Sequence, residues 1–95
     1  MHISELQRVL AERYLEKDGQ MGELFLLAVL MEEVGELSKA MRYHEGVAEE
    51  MADVMFVCLC LANLLDIDVE AQLIDRYVKR SFEDVSSTWE DVSWK

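Results

Sequence analysis

Apolar residues recur along this chain at helical rather than strand spacing. From about Ser4 to Lys17, Leu6, Val9, Leu10 and Tyr14 share one phase with Arg13, and the pattern stops near Asp18-Gly19. A second helix is predicted from Gly22 to Arg42, with Leu26, Val29 and Ala40 on its stripe and Gly46 suited to the turn that follows. A third runs from Val47 to Leu65, where Val57, Cys60 and Leu64 keep the same rhythm. A fourth is expected from Val69 to Val85, started by Asp66 or Asp68 and carrying Ile67, Ala71, Ile74, Val78 and Phe82 on one side. The stretch 86–95 is polar apart from Trp89, Val92 and Trp94, and is expected to be mobile or to dock on a partner subunit. The expectation is one all-α domain over 1–95, a four-helix bundle of antiparallel helices, since no repeat, linker or low-complexity stretch divides it.

Composition sharpens this picture. Proline is absent and only four of the 95 residues are glycine, which favours long helices over tight-turned sheets. Acidic residues outnumber basic ones 20 to 9, for a net charge of -11, which repels nucleic-acid polymers and anionic membranes. The apolar runs from Leu24 to Met31 and from Val54 to Ala62 are too short to span a bilayer. Cys58 and Cys60 point to different sides of a helix and cannot readily bridge, so a reducing cytoplasm is expected. The first residues lack the pattern of a signal peptide.

The acids are not spread evenly. Glu32-Glu33-Val34-Gly35-Glu36 and Glu49-Glu50-Met51-Ala52-Asp53 each hold carboxylates three residues apart, close enough on a helix to reach one cation. Glu33 and Glu36 continue the apolar stripe of the second helix, and Glu50 and Asp53 that of the third. Antiparallel packing would therefore turn four carboxylates inward. Without a counter-ion, desolvation and mutual repulsion would oppose their ionisation. All-oxygen ligands select magnesium, manganese or calcium over zinc, and an incomplete cage favours magnesium, with manganese as a substitute. A di-iron site would need histidines beside these acids, and the two present are His2 and His44. Gly35, inside a helix at a cost of about 1 kcal/mol relative to alanine, suggests close approach by a neighbour or ligand, or a packing notch.

These residues resemble a known pattern. Glu-Glu-Val-Gly-Glu followed by Glu-Glu-Met-Ala-Asp-Val is similar to the EExxE…ExxD signature of the MazG-like, all-α nucleotide pyrophosphohydrolases, a superfamily shared with dimeric dUTPases and phosphoribosyl-ATP pyrophosphatases. The likeness extends to about Arg80 and includes the link from Ala62 to Glu70. It implies magnesium on Glu33, Glu36, Glu50 and Asp53, with Glu32 and Glu49 as the first candidates to support the shell or orient water. It implies cleavage of a nucleoside triphosphate to monophosphate and pyrophosphate, in house-cleaning or nucleotide-pool control. A dedicated substrate (dUTP, dCTP or phosphoribosyl-ATP) is the nearest alternative. A non-catalytic helical oligomerisation or binding protein is the alternative of another class.

Arg76, Lys79 and Arg80 form a basic group where the resemblance implies triphosphate contacts; the plainer reading is a solvated face paired with Asp75 or Glu83. Lys39 and Arg42 read as surface residues that can add to the site. Base selectivity is left open: Val57 stands where some relatives have an aromatic, and the fourth helix carries a lysine or arginine where they have asparagine. Tyr14, Tyr43, Trp89 and Trp94 can each stack on a base or pack in a core or interface. The third helix is apolar nearly all round from Val54 to Leu61, so it must be covered on several sides. A homodimer follows, or the dimer of dimers that the resemblance implies.

Overall fold

A computed structural model describes residues 1–89 of the chain, so the expected role of Trp94 and the end of the tail lies outside the described residues. The described residues are all-α, as the periodicity predicts: α1 (Ile3–Met21), α2 (Glu23–Tyr43), α3 (Val47–Leu64), α4 (Val69–Leu73) running into a π-helical turn at Ile74–Val78, and α5 (Phe82–Ser86). Among the described residues, no helix is long and apolar enough to cross a membrane.

The helix ends differ from expectation where local chemistry overrides the apolar pattern. Gly19 does not stop α1, because a helical glycine is tolerated at modest cost. The chain turns at Gly22 instead, where φ of +93° suits a residue without Cβ and its N–H donates to the Asp18 carbonyl at 2.8 Å. The α2–α3 connection needs two left-handed residues, His44 at φ +53° and Gly46 at +73°, and the Glu45 N–H donates back to the Ala40 carbonyl at 3.1 Å. So short a link makes the two helices an antiparallel hairpin.

Asp68 caps α4 by accepting from the Ala71 N–H at 3.1 Å, as the sequence suggests. The single fourth helix expected to Val85 is interrupted. A π turn shifts its register, and after Lys79 the chain breaks before Ser81 caps α5, its Oγ accepting from the Asp84 N–H at 3.1 Å. Ile74, Val78 and Phe82, predicted to share one apolar side, are all exposed.

The buried side chains are Leu26 and Ala40 of α2, Val57, Leu59, Cys60 and Ala62 of α3, and Gln7 of α1. α3 thus forms the middle of the packing, with α2 on one side and α1 on another. A polar clasp ties the other end: Gln7 Nε2 donates to Asn63 Oδ1 at 3.1 Å and to the Ile67 carbonyl at 2.9 Å. Asn63 Nδ2 donates to the Gln7 carbonyl at 2.8 Å, and the Val69 N–H donates to Gln7 Oε1 at 3.1 Å. Both amides are satisfied, which is what allows them to be enclosed. Glu70 adds a second tie, accepting from the Ile3 N–H at 3.0 Å and the Ser4 hydroxyl at 3.2 Å.

A single chain encloses little more. Its accessible surface is 7594 Å², against about 5,600 Å² for a compact monomer of this mass. Its radius of gyration is 15.3 Å, where about 12 Å is usual for this length. A second stripe of α2, formed by Leu24, Leu27, Met31, Val34 and Met41, faces outward, with Leu24 76% and Met31 69% exposed, and Met51 and Met55 of α3 are exposed as well.

Candidate metal centre

The antiparallel hairpin sets the acidic segments of α2 and α3 side by side. One carboxylate oxygen from each of Glu33, Glu50 and Asp53 falls within 4.8 Å of the other two. Glu33 and Glu50 are half-buried, whereas Asp53 is exposed. No ion pair among the described residues engages any of the three. The consequence is concentrated on Glu33. Partial desolvation, and then the negative charges of Asp53, Glu50, Glu32 and Glu36, raise its pKa above the ordinary carboxylate value.

Glu36, predicted as the fourth ligand, is exposed and lies outside this trio, although near enough for its charge to act on Glu33. It shares with Glu50 the lining of an adjoining open groove, completed by Lys39, Ala40, Tyr43 and Glu45. Glu32 is exposed and adds to the field on Glu33. Glu49 is also exposed and folds toward the turn, with one carboxylate oxygen 3.7 Å from where a Cβ on Gly46 would stand.

The basic group is placed elsewhere. Arg76 and Arg80 line a separate cavity of about 170 Å³ with Tyr77, Asp84, Ser87 and Trp89 among others, and none of the clustered acids lines it. Arg76 lies over the Tyr77 ring at 5.8 Å, and Arg80 Nη2 donates to the Asp84 carbonyl at 3.5 Å. Lys79 pairs with Asp75 at 3.3 Å, both exposed. α4, which leads into the turn that carries these cations, packs on α1.

The donor set fits a hard divalent cation. Three oxygens converge without histidine or thiolate, and no ion pair among the described residues compensates the charge they gather. The cysteines do not compete: Cys60 is buried, and burial, the Asp18 charge and a hydrogen bond to that carboxylate push its thiol up to about 11. Gly35 makes no close approach inside the chain, for a Cβ placed there meets nothing within 4 Å. A notch for another of the described helices of this chain therefore does not account for it.

Two features escaped the sequence reading. The Gln7–Asn63 clasp had a signal in the lone asparagine near the end of an apolar helix. The groove beside the cluster had one in the spacing of Glu36, Lys39, Ala40 and Tyr43, which share a helix face at i, i+3, i+4 and i+7.

Residues 21–83 match the family model described as the MazG nucleotide pyrophosphohydrolase domain, a span that holds every one of these acids and the basic group. The chain is also 38% identical over 66 residues to the Bacillus subtilis (strain 168) protein described as "Uncharacterized protein YpjD", covering 57% of this chain and 60% of that relative. No solved structure matches it.

Proposed function

Because the chain belongs to the MazG nucleotide pyrophosphohydrolase family, we propose that it is a magnesium-dependent enzyme converting a nucleoside triphosphate and water to the monophosphate and pyrophosphate. The observation that carries this reading is the convergence of Glu33, Glu50 and Asp53 on one point, with Glu36 alongside. These four residues would hold the cation, magnesium or its substitute manganese. When bound, such an ion neutralises phosphate oxygens, acidifies a coordinated water and stabilises the leaving group.

The protein's own part follows from position. Glu32, whose carboxylate is close enough to act on Glu33, takes the proton of the attacking water as that oxygen bonds to the α-phosphorus and the bond to the bridging oxygen breaks. Glu49 is the second candidate for this role. Arg76, Lys79 and Arg80 bind the phosphates; since the cavity that Arg76 and Arg80 line holds none of the clustered acids, they serve the site of a neighbouring copy.

The unspent surface supports this assembly. An excess of about 2,000 Å² per chain over a compact monomer is the scale that obligate homodimer interfaces bury, and the outward stripe of α2 supplies apolar contacts for it. A homodimer or dimer of dimers in the cytoplasm is the working form. A purely structural oligomerisation role would explain the stripe but not the uncompensated carboxylates.

The direct test offers the purified protein magnesium and a panel of canonical and modified nucleoside triphosphates, with dUTP, dCTP and phosphoribosyl-ATP among them. Pyrophosphate release that is lost in folded Glu36→Gln and Asp53→Asn supports the reading and ranks substrates. Absence of turnover from folded, metal-loaded protein would overturn it.

A further inference from the structure

We propose that α5 is an autoinhibitory strap: it folds back on the basic turn, holds Arg76 and Arg80 to their own chain, and must lift before they reach phosphates on a neighbouring copy. The inference rests on the pyrophosphohydrolase reading for the role of those arginines.

The fold-back is built locally. The chain leaves helical structure at 79–81, and Ser81 then caps α5. α5 packs on the π-helical turn, and Arg80 Nη2 donates to the Asp84 carbonyl at 3.5 Å. Phe82, at the start of α5, meets Trp89 beyond its end, edge to face at 5.7 Å. The cavity of about 170 Å³ lies between these parts: Arg76 and Arg80 line it from the turn, and Asp84, Ser87 and Trp89 from α5 and the residues after it.

Size and charge make this contact a restraint. A volume of about 170 Å³ is below the roughly 300 Å³ at which ligand pockets begin, so a nucleotide does not fit between the arginines and α5. No ion pair among the described residues engages Arg76 or Arg80. The acid on the lining is Asp84 of α5, and its charge opposes the entry of phosphate. Both arginines are exposed elsewhere on their surface. What α5 withholds is therefore the side that faces the cavity, together with the Arg80 donor.

The strap is light enough to lift. No residue from 81 to 89 is buried, and Phe82 is 68% exposed. A segment that encloses so little apolar surface opens at small cost relative to the rest of the fold. While it is down, apparent affinity for phosphate falls by the fraction of molecules in which the arginines are released.

The experiment uses the full chain in magnesium and compares wild type with the double variant Ser81→Ala, Phe82→Ala, which removes the cap and the aromatic contact. A glutamate-specific protease should release fragment 84–95, by cleavage after Glu83, faster from the double variant. Calorimetry should show inorganic tripolyphosphate bound about fivefold more tightly by the double variant, and the gain should vanish when Arg80→Gln is added to both proteins. Equal release of the fragment, equal or weaker tripolyphosphate binding, or a gain that survives Arg80→Gln would each overturn the proposal. The two readings fail separately. Pyrophosphate release at a KM indifferent to the double variant would keep the reaction and sink the strap; tighter tripolyphosphate binding through Arg80 without pyrophosphate release would do the reverse.

Discussion

Glu33 occupies a position that a helix bundle would ordinarily give to a leucine, and its carboxyl is raised by desolvation first and by four neighbouring acids after that. In metal-free protein the folded state therefore holds this proton more tightly than the unfolded chain, whose value is 4.5. The contribution to stability is fully present below that value and is lost as pH rises through the elevated folded one. In chelator, the melting temperature of wild type minus that of Glu33→Gln should fall as pH climbs from below 4.5 to 7, and magnesium should restore it at pH 7. A difference independent of both pH and metal would remove Glu33 from the cluster. Gly35 supplies a second test at this scale. Alanine there meets open space, so Gly35→Ala should raise stability by about 1 kcal/mol, or about 4–8 °C in the melting temperature. A fall would mean that a second copy packs on that glycine.

Why were the acids legible and the groove not? Glu33, Glu36, Glu50 and Asp53 sit in phase with apolar stripes, and phase is what a one-dimensional pattern reports. Convergence is not: Glu36 shares that phase yet falls outside the closest trio. Lys39 and Tyr43 follow ordinary surface spacing, and their meaning comes only from the groove they border.

The turn between α2 and α3 is the element on which the cluster's geometry depends. Gly46 at φ +73° is its glycine-favouring residue, and an alanine held there costs about 1–2 kcal/mol. Gly46→Ala should lower the melting temperature by several degrees and weaken magnesium binding, because Glu50 is positioned by the start of α3. Unchanged values in calorimetry and metal titration would show that the turn does not set the site. The hairpin itself was readable from two long apolar periods separated by a short polar link. The fourth helix was not, because its apolar side predicts a continuous helix while Ser81 and Asp84 form a competing cap. With Ile74, Val78 and Phe82 uncovered within the chain, that local signal prevails.

At the scale of the whole molecule, the expanded radius, the excess surface and the outward stripe of α2 are what the proposed assembly would cover. Sedimentation should find a species of at least twice 11.0 kDa, and Met31→Lys should dissociate and destabilise it, since a charge cannot be enclosed there unpaired. A wild-type chain that sediments as a monomer would remove the assembly, and with it the service of Arg76 and Arg80 to a neighbouring site. The central claim is chemical, and phosphorus NMR of a nucleoside triphosphate incubated with the protein tests it most directly. The account predicts monophosphate and pyrophosphate in equal amounts with magnesium, and neither with chelator or with folded Asp53→Asn. Orthophosphate as the product, or full activity in Asp53→Asn, would contradict it.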